Sequence, residues 1–194
     1  MDFSDIKKHL SKFRVGIAGA GGLGSNCAVA LARSGVGTLV ICDFDAVEPS
    51  NLNRQYYFAS QVGSMKTDAL KKNIALINPE TCVVAHNTRL DPTNIPSLFS
   101  GCDIIVEAFD TAEAKQMIIE TVQTKMNGTP IIVGSGLAGW GNSEGIKLRK
   151  IDETLYVCGD ESSDTDAGLP VFAPRVGIVA NMQANTVVEI LMEL

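Results

Sequence analysis

The stretch RVGIAGAGGLGSNCAVALARSGVGTLVICDF, residues 14–44, decides the fold. Residues 14–20 are a short apolar run ending in glycines, the pattern of a strand buried on both faces. Residues 22–35 are rich in Ala and Leu and close on Gly35, a suitable helix C-cap. Residues 38–44 are a second apolar run. Strand, tight glycine turn, helix and strand within about 30 residues make a βαβ unit and a parallel strand pair. Gly19, Gly21 and Gly24 fit G-x-G-x-x-G, with Gly22 inside the same turn. The first glycine permits the turn, the second lets the backbone approach a phosphate, and the third lets the helix pack close to the strand. Asp43 closes the second strand, where a carboxylate accepts hydrogen bonds from ribose hydroxyls. The pattern points to a nucleotide and leaves NAD, FAD and ATP open.

The rhythm continues along the chain. Residues 3–12, 66–77 and 112–126 read as helices, and 82–88, 103–109 and 130–136 as strands, with a short helical turn in TNIPSLFS (93–100). This alternation predicts a Rossmann-like, doubly wound, mostly parallel α/β sheet in one domain spanning residues 1–194. After residue 136 the helical period is lost. GIKLRKI (145–151) and TLYVC (154–158) predict a hairpin, so that antiparallel strands extend the sheet in the C-terminal third. Residues 161–170 are small and polar and predict a mobile surface loop. Pro174 opens a last helix with Val176, Val179, Ala180, Gln183, Val187, Ile190 and Leu191 on one face.

Composition narrows the function classes. A chain of 194 residues, 45% hydrophobic and 20% charged, can bury a sizeable core. No apolar run approaches the roughly 18 residues of a membrane span. The opening MDFSDIKKHLSKF is polar and of mixed charge, unlike a signal peptide. A soluble, cytoplasmic protein with no membrane partner is expected. The net charge of −6 speaks against a nucleic-acid partner. None of the five cysteines forms a C-x-x-C pair, so no zinc is expected. Cys27, Cys42, Cys82 and Cys102 sit in or beside apolar segments and are read as packing residues. His9 and His86 have no partner at a useful spacing and are read as structural.

DFDAVEPSNLNRQ, residues 43–55, carries more polar groups than a redox dinucleotide needs. Arg54 can fork two phosphate oxygens. Asn51 can donate to a phosphate or sit near a metal, and Lys66 can place a point charge on a phosphate. Asp110 lies just past the C-terminal end of the fourth strand, the edge where ligands of open α/β sheets bind. Together they suit a triphosphate with magnesium: Asp110 as metal ligand, Arg54 and Lys66 offsetting the charge of departing pyrophosphate. Structural readings stand beside these. Asp110 can cap the helix after it, Lys66 can be a solvated helix charge, and Arg54 can pair with Glu48. Gly134, Gly136, Gly139, Gly141 and Gly145 around Trp140 suit either a groove for a flexible tail or plain turns.

The runs GAGGLGS, DFDAVEPSNLNRQ, GSMKTDALKKNIALINPE, EAFD and AGLPVFAPRVGIVANMQANTVVEIL resemble the ThiF/MoeB family, bacterial relatives of the ubiquitin-activating enzymes. The resemblance runs from about residue 13 to the end. It is closest to the short ThiF branch of thiamine biosynthesis. It implies ATP-dependent adenylylation of the C-terminal glycine of a ubiquitin-like sulfur carrier such as ThiS, by a homodimer. It implies that Gly19, Gly21, Gly22, Gly24, Asp43 and Asp45 form the nucleotide site. Asn51, Arg54, Gln55 and Lys66 would contact the phosphates, and Asp110 would bind magnesium. The chain departs from family patterns. Zinc cysteines are missing, the loop SSDTDAG has no cysteine, and Lys7, Lys8 or Lys12 would replace an arginine reaching the partner's ATP. Cys158 is left as either a packed or a reactive thiol. The closing helix and the strands after residue 136 are expected at the dimer contact. An NAD-dependent oxidoreductase and a non-catalytic nucleotide-binding scaffold remain as alternatives.

Overall fold

The computed structural model describes residues 2–163 and 168–194. One seven-stranded sheet, in the order β3-β2-β1-β4-β5-β7-β6, forms the centre. The strands are β1 (Arg14–Ala18), β2 (Thr38–Asp43), β3 (Cys82–Asn87), β4 (Ile104–Glu107), β5 (Ile131–Gly134), β6 (Lys147–Lys150) and β7 (Leu155–Gly159). The helices are α1 (Phe3–Leu10), α2 (Gly22–Ser34), α3 (Lys66–Ile77), α4 (Ile95–Leu98), α5 (Ala112–Lys125) and α6 (Ala173–Glu193). β1 and β4 pair at the middle, and the chain winds outward from them in both directions. This leaves a crevice at their C-terminal ends, where doubly wound folds bind ligands.

The central strands read as continuous apolar runs because both faces are covered. β4 and β5 are buried at every residue. On one face, α2, α3 and α6 pack on Val15, Ile17, Leu39, Ile41 and Ile132. On the other, α5 and the short α4 cover Val40, Ile105, Ile131 and Val133. Gly16 belongs to that second face, where the fully buried Phe99 ring occupies the space of a side chain; a Cβ would lie 2.6 Å from it. α1 docks through His9, whose Nε2 lies 2.9 Å from the Leu191 carbonyl oxygen, with Phe13 edge-on to its ring. The structural reading of His9 is therefore met by an identified partner.

Several expectations need adjustment. The predicted strand at 14–20 ends at Ala18, because Gly19 takes φ +99° and turns the chain. The predicted hairpin is present, with β6 antiparallel to β7. β7 itself runs parallel to β5, so β6 alone opposes the sheet. β6 is exposed throughout and carries Lys147, Arg149 and Lys150, which discourage pairing at a free edge. The closing helix is not an open contact face. Val176, Val179, Ala180, Val187 and Leu191 are fully buried against α2 and the sheet within the protomer. Cys82 is exposed rather than packed, because it opens the edge strand β3. The loop expected over 161–170 falls in part on 164–167, outside the described residues.

The glycine turn is held by close packing. A Cβ on Gly24 would lie 1.9 Å from the Gly19 carbonyl oxygen, a backbone atom that cannot yield. Gly24→Ala is expected to cost about 2 kcal/mol and lower the melting temperature by roughly 4–8 °C. Gly177→Ala, in α6 with open space around its Cα, is the control and should melt no lower than the parent; differential scanning calorimetry checks both.

Candidate functional site

A cavity of about 770 Å³ opens at the C-terminal ends of β1 and β4. One side is the glycine turn. The Asp43 carboxylate sets it, with Oδ2 accepting from the Ala20 N–H at 2.6 Å and Oδ1 from the Asp45 N–H at 2.8 Å. Burial raises the Asp43 pKa, and the two N–H donors and Lys66 act against that rise. Gly21 is the N-cap of α2 and supplies no capping side chain. The first-turn amides of α2, with the positive end of the helix dipole, therefore face the cavity as an anion cradle. Gly19, Gly21, Gly22 and Asp43 line it, whereas Gly24 lies behind, packed on the turn.

The polar run is stitched onto this turn. Asn26 Nδ2 donates to the Arg54 carbonyl at 2.9 Å, Ser25 Oγ accepts from the Tyr56 N–H, and the Tyr57 hydroxyl donates to the Ala20 carbonyl at 2.6 Å. Arg54 and Gln55 thereby reach the cavity wall. Arg54 Nη1 donates to the Ser50 carbonyl and to Asn53 Oδ1, while Glu48 takes the Ser50 hydroxyl, so the Arg54–Glu48 pairing is not formed. Gln55 is 8% exposed and its Oε1 has no hydrogen-bond partner, an acceptor on the cavity wall awaiting a donor. Asn51 is different. It is buried outside the lining, with Oδ1 accepting from the Glu48 N–H to cap the short turn Pro49–Asn51. Its Nδ2, the donor expected at a phosphate, has a 3.5 Å contact to Ser50 Oγ, and the side chain stands outside the cavity lining.

Lys66 opens α3, 6% exposed, with Nζ 2.7 Å from Asp45 Oδ2. It is not a solvated helix charge. An isolated bridge between Ala46 and Met65, with the Lys66 N–H on the Asp45 carbonyl, fixes both residues beside the cavity. Across the sheet Asp110 lines the cavity and is exposed. Thr111, not Asp110, caps α5, its hydroxyl accepting from the Ala114 N–H. Asp110 is thus free of the helix-cap role. A single carboxylate suits magnesium, which keeps several waters and takes phosphate oxygens.

A profile of the ThiF family matches residues 3–194. The chain belongs to the ThiF family. It is 35% identical to the adenylyltransferase and sulfurtransferase MOCS3 of Caenorhabditis briggsae, over 97% of this chain and 48% of that protein. It is 30% identical to the molybdopterin-synthase adenylyltransferase of Salmonella typhimurium, over 94% of this chain and 74% of that one. The chain spans half or less of the first curated relatives it matches, 26% to 48% of their lengths. In fold it is similar to E. coli tRNA N6-threonylcarbamoyladenosine dehydratase, TcdA, solved in complex with ATP. The TM-score is 0.87 at 20% identity, over 97% of this chain and 89% of that one.

Residues that sequence reasoning passed over also lie at the cavity wall or behind it. Glu107 is fully buried at the end of β4, and Lys115 Nζ donates to both its oxygens, at 3.1 and 3.0 Å, and to the Gly134 carbonyl at 2.8 Å. Burial raises the Glu107 pKa, with Lys115 and the Phe109 N–H opposing. The signal was a lone carboxylate inside an otherwise apolar strand. Phe44, Thr88 and Leu90 form an apolar corner beside Asp43, with Arg89 over the Phe44 ring at 5.4 Å. Of the glycines around Trp140, Gly134 and Gly136 line the cavity, while Gly139 and Gly141 take positive φ at turns away from it.

Cys158 is fully buried and its thiol is pushed up to about 12 by that burial, so it is a packing residue. Lys7 is engaged with Glu80 at 2.5 Å. Below pH 9 the buried thiols stay protonated and enclosed. Iodoacetamide at pH 8 is expected to label Cys82 rapidly and to spare Cys27, Cys42, Cys102 and Cys158 until denaturant is added; mass spectrometry of the labelled peptides reads the outcome.

Proposed function

We propose that this ThiF-family chain is an adenylyltransferase that joins AMP to the C-terminal carboxylate of a small ubiquitin-like sulfur carrier ending in glycine. The carrier carboxylate attacks the α-phosphorus of ATP, the bond to the bridging oxygen breaks, and pyrophosphate leaves with the electron pair. An acyl-adenylate forms. The observation that supports this most is the convergence of Arg54, Lys66 and Asp110 with the glycine turn on one cavity. A nicotinamide cofactor has no use for two cations and a facing carboxylate, and the described residues of the cavity include no histidine for proton relay.

The roles follow from the contacts. The turn amides and Arg54 hold phosphate oxygens, and Asp43 keeps lone pairs for ribose hydroxyls. The orphan oxygen of Gln55 accepts one donor of the nucleotide or its water shell. Lys66, held by Asp45, presents its charge without reorganising as pyrophosphate departs. Asp110 would hold magnesium, which when bound offsets the charge on the phosphates. Arg54 and Lys66 act on charge that develops in the transition state, whereas Asp43 and Gln55 position the nucleotide.

Sequence resemblance favours a ThiS-like carrier of thiamine biosynthesis, working with a homodimer. The printed name of the Salmonella relative, a molybdopterin-synthase adenylyltransferase, supports a MoaD-type carrier as a second reading. Both are tested in one assay of labelled pyrophosphate exchange into ATP, with magnesium and each carrier ending in Gly-Gly. Carrier-dependent exchange is expected, and the carrier giving the higher kcat/KM identifies the substrate class. Exchange with neither, despite ATP binding, would point to a scaffold; NADH binding in place of ATP would point to an oxidoreductase. Asp110→Ala is expected to reduce exchange by about 10²-fold or more with an unchanged melting temperature. Full activity in that variant removes Asp110 from the metal site.

A further inference from the structure

Arg175 stands in the first turn of α6, 5% exposed. A cation there opposes the positive end of the helix dipole. A buried ion pair also contributes little net stability after desolvation. Neither cost is offset by ordinary packing, so the position of this charge calls for another explanation. Its partners supply one. Nη2 pairs with Asp160 Oδ2, itself buried, and Nη1 donates to the Gly141 carbonyl at 2.5 Å. Asp160 Oδ1 accepts the N–H groups of Ser162 and Ser163 at 2.9 and 2.8 Å and the Ser163 hydroxyl at 3.0 Å. The Asp160 N–H donates to the Gly136 carbonyl, and the Glu161 N–H to that of Ser135. One ion pair thus ties α6 to two segments, 135–141 and 160–163.

Those two segments form the wall of the cavity beyond β4. Ser135, Gly136, Leu137, Glu161, Ser162 and Ser163 line it. The opposite wall runs from the glycine turn to Lys66; α6 meets it through Val176, beside Gly22, and among the described residues no hydrogen bond joins that wall to the pair. The fit at the latch is tight: a Cβ on Gly136 would lie 2.1 Å from Asp160 Oδ1. Burial works to raise the Asp160 pKa, but the serine N–H donors and Arg175 hold it below the ordinary carboxylate range.

We infer that Arg175 and Asp160 are positioning residues that shape the half of the cavity taking the carrier's C-terminal segment, while the nucleotide half stands independently. This rests on the adenylylation reading. A glycine-ended chain lying along this wall meets the small residues Ser135, Gly136, Ser162 and Ser163. That wall keeps its width only while the latch holds both segments. The two halves are therefore separable by substitution.

The test uses the full chain with Arg175→Met, Arg175→Lys and Asp160→Asn. Carrier KM and kcat come from pyrophosphate exchange, and ATP affinity from titration calorimetry without carrier. Arg175→Met and Asp160→Asn are expected to raise the carrier KM about tenfold, as misplacement of a substrate-positioning wall does, with ATP Kd within about twofold of the parent. Arg175→Lys keeps the charge on Asp160 and should fall between parent and Met variant. It also carries the test if Arg175→Met does not fold. Equal losses in ATP affinity and carrier KM, or no change in either, overturn the inference. Absence of carrier-dependent exchange in the parent protein overturns the adenylylation reading and the inference with it, an outcome distinct from the previous two.

Discussion

The Asp43 carboxylate is the joint on which the site is built. One oxygen holds the Ala20 amide and so the exit of the glycine turn; the other holds the Asp45 amide and so the bend out of β2. From that bend the chain reaches Lys66, whose amide and ammonium both return to Asp45. Tyr57, Asn26 and Ser25 tie the far end of the polar run to the same turn and helix. The cost at Asp43 is burial of a carboxylate, and its raised pKa records that cost. The N–H donors keep the group in place despite it.

Most charges on the cavity are held by protein partners before any ligand arrives. Lys66 rests on Asp45 and Lys115 on Glu107, and behind the wall Arg175 rests on Asp160. Such a site meets developing charge with little rearrangement, which is the main source of electrostatic catalysis. Gln55 departs from this pattern, since its buried oxygen has no protein partner. The division of the cavity follows from sheet topology. β2 and β3 leave β1 in one direction, and β5 and β7 leave β4 in the other. The two walls are therefore made by different parts of the chain and meet only at the switch point.

Hydrogen-bond and ion-pair partners decided the fate of residues that looked alike or exposed in the sequence. Asn51 and Gln55 lie four positions apart in one polar run, yet one caps a turn and the other faces the cavity. The side chain of Asn51 is short enough to reach back to the Glu48 amide three residues earlier, a local competitor that Gln55 does not have. Lys66 could be a solvated helix charge by sequence, yet it is buried because Asp45, distant in the chain, meets it.

The sequence by itself determined the βαβ start, the placement of the glycines, the order of strands and helices along the chain, and the presence of Arg54 in the polar run, Lys66 at a helix start and Asp110 past a strand end. These depend on apolar periodicity and on contacts between near neighbours, which a linear reading contains. Only the tertiary structure decided that α6 is spent on the core, that β7 runs parallel to β5, and that Glu107 with Lys115 and Asp160 with Arg175 form buried pairs. A hydrogen bond or ion pair between distant residues has no periodic signature. Its partner is chosen by which backbone segments pack together, and that choice exists only once the sheet is assembled.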